Sequence, residues 1–177
     1  MKARAFIAVG SNISPEENVR AALLALAGQE EIVAVSTIYR TKPEGRRDQP
    51  DFYNCVVEIK TGKMPEALKY QVLRGIEAGL GRQRISDKFA PRTIDLDLML
   101  YDNLILDTDR LVLPDPEISS RSFLAVCLSE LAPDLILPGT NSRVADLSAR
   151  FSLDNMQPLE DYTARIRNDL HFSERVS

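Results

Sequence analysis

A chain of 177 residues suits one domain with a single core, or one domain plus a tail. With 44% hydrophobic and 27% charged residues its composition is that of an ordinary soluble globular protein, and no apolar run approaches the roughly 20 residues that a membrane span needs. The net charge of −4 argues against a surface built for nucleic acid, although a local basic cluster can still hold an anion.

The first segment, RAFIAVG (4–10), predicts a strand ending at Gly10. Ser14-Pro15-Glu16-Glu17 then predicts a helix start, with Ser14 as N-cap, Pro15 in the first turn and Glu17 completing a capping box. Val19, Leu23 and Leu26 share one face of that helix. EIVAVSTIYR (31–40) predicts a second strand and FYNCVVEIKT (52–61) a third. Pro65 opens a second helix whose Leu68, Val72 and Ile76 share a face, and Gly79 and Gly81 mark its end. TIDLDLMLYD supplies strand four, LIL (104–106) and RLVL (110–113) a hairpin-like pair, and Ser120 to Leu131 a third amphipathic helix. Beyond Asn141 the pattern weakens, with a docked helix expected near 158–170. The order β-α-β-β-α-β predicts an α+β, ferredoxin-like sandwich with an added hairpin and C-terminal helices.

Cys55 and Cys127 are far apart and lack CxxC spacing, so they are expected to be free, buried thiols of a reducing compartment. The N-terminal apolar run is too short for a signal peptide, which makes the cytoplasm the expected location. His171, the single histidine, lies in the tail, so histidine general-base chemistry is not expected. GxxxxGK[ST] and GxGxxG loops are both missing, which argues against a P-loop enzyme or a dinucleotide-binding fold.

Two connections are long: TKPEGRRDQPD (41–51) and RQRISDKFAPR (82–92). Loops of that length in a compact domain are often lids or binding loops. Strand four raises the main question. Alternation sends Asp95, Asp97, Met99 and Tyr101 one way and Ile94, Leu96, Leu98 and Leu100 the other, the leucine face toward the helices. The two carboxylates then lie roughly 7 Å apart on a shared face. Like charges that close favour a cation between them, and a hard divalent ion is the natural partner. Asp-x-Asp alone is a weak motif that also fits a plain solvated strand. The flank adds weight: Arg82, Arg84, Lys88 and Arg92 precede the pair, and Arg110 and Arg121 follow. Guanidinium forks suit phosphate oxygens, so carboxylates and forks together point to a polyphosphate bound through Mg²⁺. The competing reading is a solvated ion-pair network with Glu77, Asp87 and Glu117.

KFAPRTIDLDLM (88–99) closely resembles the signature of the 6-hydroxymethyl-7,8-dihydropterin pyrophosphokinase family. The likeness runs from residue 4 to about 138 and includes VGSN (9–12), STIYRTKP (36–43), DQPDFYN (48–54), GLGRQR (79–84) and RSFL…SELAP (121–133). The resemblance implies a Mg²⁺-dependent transfer of pyrophosphate from ATP to the pterin hydroxymethyl group, giving AMP, in folate synthesis. It implies two Mg²⁺ ions on Asp95 and Asp97, with Arg82 and Arg92 completing the catalytic set. ATP would be held by Arg74, Glu77, Arg84, Phe89, Leu98, Arg110, Asp115 and Arg121. The pterin would be held by Thr41, Lys42, Pro43, Phe52, Asn54 and Phe123, the two phenylalanines sandwiching its flat ring. Without the resemblance Phe52 and Phe123 would be read as core packing. The two long loops would be lids over ATP.

The chain departs from that pattern at Phe89, where Trp is usual, at Ala90 for Gly, at Ile85 for a basic residue and at Asp115 for His. All four changes fall on the nucleotide side. Arg46 and Arg47 are expected to be solvated loop charges. Residues 1–140 are expected to form the single pyrophosphokinase domain and 141–177 an extension packed on it or trailing from it. The partners expected are ATP and the pterin alone, with no nucleic acid, no membrane and a monomeric chain. Two other readings remain open: a non-catalytic or degenerate ferredoxin-like module that binds a pterin or nucleotide, and a Mg²⁺-dependent kinase or nucleotidyltransferase acting on another substrate.

Overall fold

The structure, a computed structural model, describes residues 1–173. Strand β1 (Ala3–Ser11) is followed by helix α1 (Pro15–Ala27), strands β2 (Glu31–Val35), β3 (Tyr39–Thr41) and β4 (Phe52–Thr61), and a long helical segment. That segment is α2 (Pro65–Ala67), a π-helical stretch (Leu68–Leu73) and α3 (Arg74–Gly79). Then come β5 (Asp95–Tyr101), the short pair β6 (Leu106–Asp107) and β7 (Val112–Leu113), α4 (Ser122–Leu131), α5 (Val144–Ser148), β8 (Met156–Pro158) and α6 (Glu160–Ser173). Among the described residues six strands form one antiparallel sheet in the order β5-β1-β4-β3-β8, with β2 also paired to β4.

Alternation along β1 builds both sides of the sheet. Ala5, Ile7 and Val9 join Cys55, Val57 and Ile59 of β4 beneath α1, α3 and α6, where Leu23, Ile76 and Ile166 are buried. Phe6 and Val56 point the other way, into a second cluster with Leu124 and Leu128 of α4 and Leu147 of α5. Each Leu or Ile fully buried in this way contributes about 1.5–3 kcal/mol. The result is a mixed α/β fold with helices on both faces. The face that carries Asp95 and Asp97 is therefore covered along part of its length, because α4 carries an apolar stripe of its own.

Strand four obeys the expected alternation only as far as Met99. Ile94, Leu96 and Leu98 pack with the helices of the first cluster. A bulge opposite Phe6 and Ile7 then moves Leu100 into the second cluster beside Met99, while Tyr101 turns back toward the first. One extra residue in the strand reverses every later side chain. The expected strand 31–40 is broken as well. At Ser36 the side-chain hydroxyl accepts from Val56 N, and beyond it Thr37 N donates to Glu130 and Ile38 N to Thr163, so side chains replace the ladder. The capping box is not formed. Ser14 adopts φ 41° and caps nothing through its side chain. Its position is fixed from upstream, where the amides of Asn12 and Ile13 both donate to the Arg92 carbonyl. Pro15 does open the helix, and Val19, Leu23 and Leu26 are buried as expected. Cys55 and Cys127 are free and buried.

Candidate active site

At one end of the α4 face the cover stops and three cross-strand rows form a floor. Directly opposed residues of antiparallel strands point to the same side of the sheet. The first row is Asp97, Ala8 and Val56, and the second is Asp95, Gly10, Asn54 and Tyr39. The third is Phe52, Thr41 and Met156. Small residues occupy the middle of the floor. A Cβ on Gly10 would lie 2.7 Å from the Asn54 side-chain oxygen, so only glycine leaves that amide its place. Asn54 Nδ2 in turn donates to Thr41 Oγ1 at 2.6 Å, which fixes the direction of its remaining polar edge.

A cavity of about 1020 Å³ stands on this floor. Its walls include all six residues expected to hold the pterin, namely Thr41, Lys42, Pro43, Phe52, Asn54 and Phe123. Phe89, Asp115 and Arg121 from the expected nucleotide set line it too, along with Arg92, Asp95 and Asp97. A notch of about 230 Å³ adjoins it, lined by Arg82, Arg84, Ile85 and Asp87 and sharing Lys88, Arg92, Asp95 and Asp97 with the larger space. The two carboxylates thus stand at the junction of an aromatic-walled slot and an arginine-lined notch.

Arg92 ties this junction together. Its Nη1 lies 2.6 Å from Asp95 Oδ2, its guanidinium lies over the Phe52 ring at 5.8 Å, and its Nη2 donates to the Lys88 carbonyl. The buried Nε atoms of Arg82, Arg92 and Arg121 have no hydrogen-bond partner within the protein. Unsatisfied buried donors are costly, and the three guanidiniums line the two adjoining cavities, where their outer nitrogens suit an anionic ligand. Burial first, and then the neighbouring Asp95 charge, push the Asp97 carboxyl up to about 7. A cation would relieve both effects. Among the described residues no three His, Cys, Asp or Glu side chains are grouped to hold a metal by themselves. A pair of carboxylates fits Mg²⁺, which completes its shell with water and substrate phosphates.

Four residues of the expected nucleotide set stand outside both cavities. Glu77 is buried, and its carboxylate accepts from Arg74, Arg84 and the Leu96 amide, the last at 2.8 Å. Burial raises its carboxyl to about 7, opposed by the Leu96 hydrogen bond and the Arg74 charge. Arg74 is committed to that pair. Leu98 points into the helix-side core, the face opposite Asp97. Arg110 packs its guanidinium over Tyr70 and pairs with Glu66. The competing ion-pair network exists in part, through Arg84–Glu77 and Arg121–Glu117, alongside the arginine-lined notch.

The two long loops meet above the site. Arg46, expected to be a solvated charge, reaches Asp87 of the other loop at 3.0 Å. The Phe89 ring occupies the space that a Cβ on Gly45 would need. Gln49 Nε2 donates to the Arg46 and Phe89 carbonyls. Asn12, almost fully buried, donates to Gln49 and Pro50 and accepts from Arg92 N, so one side chain anchors the roots of both loops. Asn12, Gln49 and Gly10 were assigned no role from the sequence. They lie within the VGSN and DQPD pieces of the resemblance, which was the signal available.

The model of the 7,8-dihydro-6-hydroxymethylpterin-pyrophosphokinase family, HPPK, matches residues 6–133. The chain belongs to this family. It is 40% identical over 139 residues to the 2-amino-4-hydroxy-6-hydroxymethyldihydropteridine pyrophosphokinase of Haemophilus influenzae, covering 77% of this chain and 86% of that one. To the enzyme of the same name from Pseudomonas aeruginosa it is 41% identical over 138 residues, covering 76% and 84%. In three dimensions it resembles wild-type Plasmodium falciparum HPPK-DHPS with a TM-score of 0.66 at 13% identity. That likeness covers 88% of this chain, which spans 47% of the Plasmodium chain, and it speaks for the HPPK fold alone. The HPPK match ends before α5, β8 and α6.

Proposed function

We propose that this chain transfers pyrophosphate from ATP to 6-hydroxymethyl-7,8-dihydropterin, giving AMP and the pterin diphosphate, as a step of folate synthesis. The observation that carries the reading is the junction just described: carboxylates lie between an aromatic slot and an arginine notch, in a chain of the HPPK family. The strand order, fourth-first-third-second when β2 and β3 count as one, supports the finer ferredoxin-like description.

Phosphoryl transfer needs positioning and charge neutralisation more than covalent help. Phe52 and Phe123 would hold the flat ring by stacking, and Asn54, aimed by Thr41, would read its polar edge. Arg92 touches both sides and would align the hydroxymethyl oxygen with the phosphate chain. Arg82 and Arg84 would neutralise phosphate charge in the notch, and Arg121 would do so at the far wall. Asp95 and Asp97 would hold two Mg²⁺ ions, which supply charge neutralisation and polarisation of the phosphates. The meeting of the two loops would exclude water and limit wasteful hydrolysis. We further propose a monomer working in the cytoplasm; no helix of the described residues is long and apolar enough to cross a membrane.

Product analysis tests the reaction. AMP formed only when the reduced pterin is present supports it, whereas ADP or free pyrophosphate would overturn it in favour of a simple kinase or a nucleotidyltransferase. The variant Asp97→Asn is expected to keep its fold and lose about a hundredfold or more in turnover. Near-normal turnover in Mg²⁺ would remove the assignment of Asp97 as a metal ligand.

A further inference from the structure

The third row of the cavity floor ends on a strand that the family match does not reach. Met156 of β8 stands directly opposite Thr41 and, with its neighbour Asn155, lines the same cavity as Phe52 and Phe123. Only 6% of Met156 is exposed. β8 is short, so what holds it matters. The helix that follows is bound to the break between β2 and β3. Leu159 N donates to the Ile38 carbonyl at 2.8 Å, and Ile38 N donates to Thr163 Oγ1 at 2.9 Å. Arg167 donates twice to the Val35 carbonyl, at 2.7 and 3.1 Å. These contacts satisfy the backbone where the ladder is interrupted, just before β3 carries Thr41 into the pocket. On its other side α6 is fastened to α1 by Tyr162 to the Glu16 carbonyl and by the Arg20–Asp169 and Arg165–Glu16 pairs.

Resting on the function proposed above, we propose that this C-terminal segment is part of the pterin site. Met156 is a substrate-contacting residue of the slot wall. Thr163 and Arg167 are positioning residues that hold β3, and with it Thr41, to which the Asn54 amide of β4 is bonded, against the ring. A thioether is polarisable and adapts to an aromatic edge, which suits a wall beside a planar heterocycle. Among its described residues none lines the arginine notch, and Met156 shares its floor row with Thr41 and Phe52, so the first effect of the segment is expected on the pterin.

The experiment uses the full-length chain and two binding titrations, one with 6-hydroxymethyl-7,8-dihydropterin and one with a non-hydrolysable ATP analogue and Mg²⁺, together with steady-state kinetics. Met156→Ala is expected to weaken pterin binding about fivefold to tenfold while the analogue binds within twofold of the parent chain. Met156→Leu, which keeps the volume, is expected to recover most of that loss. Thr163→Val is expected to raise the pterin KM severalfold with kcat little changed, and Thr163→Ser to restore it. A merely structural role would lower the active fraction and the melting temperature and leave the pterin KM alone. Parent-like pterin binding in Met156→Ala and Thr163→Val would overturn this proposal and leave the pyrophosphokinase reading standing. Failure of the parent chain to bind the pterin would remove both.

Discussion

Asp97 carries a charge that the surrounding protein resists. Its carboxyl rises from the usual 3.8 to about 7, through burial first and Asp95 second. Between those pH values the folded chain holds a proton that the unfolded chain has released. Without metal, stability therefore falls as pH rises from about 4 to about 7. Asp97→Asn removes the penalty. In EDTA at pH 8 the variant is expected to be more stable than the parent by on the order of 1 kcal/mol, about 2–4 °C in melting temperature, with the difference vanishing near pH 4. Equal shifts at both pH values in thermal melts would contradict the raised carboxyl. At this scale the sequence was informative wherever chemistry declares itself. The spacing of Asp95 and Asp97 predicted a shared face, which the structure bears out, because period-2 alternation needs no tertiary knowledge. Glu77 was different. Its carboxylate is spent inside the protein on Arg74, Arg84 and a strand amide, and no local pattern says which way a helical acid turns.

The helical segment from Pro65 to Gly79 shows how an element carries a site without touching it. Its apolar face of Leu68, Val72 and Ile76 was legible from spacing and is buried. The π-helical stretch Leu68–Leu73 was not, because a local widening leaves the i, i+4 pattern intact. Beyond that stretch α3 places Glu77 beneath β5, where it accepts the Leu96 amide, one residue from each of Asp95 and Asp97. Glu77→Ala would leave Arg74 unpaired and the Leu96 amide unsatisfied. The expected cost is about 3 kcal/mol in urea unfolding with an unchanged m-value. A loss below about 0.5 kcal/mol would show that the pair is replaced by water at no cost. The bulge at Met99 and the break after Val35 escaped prediction for a related reason. Both are decided by partners far along the chain, Phe6 in one case and Glu130 and Thr163 in the other.

Taken as a whole, the molecule is a sheet whose two faces are unequally covered, and the site is where one cover ends. The order of the strands and helices up to α4, the hairpin and the C-terminal helix were legible, since each rests on a local apolar rhythm, whereas α5 and the short strand β8 were not. The extent of α4 across the second face was not, because it depends on how the layers stack. The mild negative charge of the chain coexists with an arginine notch, so binding should depend strongly on how phosphate charge is met. A non-hydrolysable ATP analogue at a hundred times its Kd is expected to stabilise the fold by about 2.7 kcal/mol in Mg²⁺, and the pterin added afterwards to stabilise it further. With EDTA in place of Mg²⁺ the first shift should largely disappear. An undiminished shift in EDTA would argue that the arginines hold the nucleotide unaided.

Gly10 sits at the centre of that floor and offers no functional group. It marks a position where an added carbon would displace the Asn54 amide, since a methyl group would lie 2.7 Å from its oxygen. A survey that ranks positions by reactive side chains would pass it over, yet the orientation of the Asn54 amide hangs on this vacancy. Gly10→Ala is therefore expected to push the Asn54 amide off Thr41, and with it to change which heterocycle the cavity prefers.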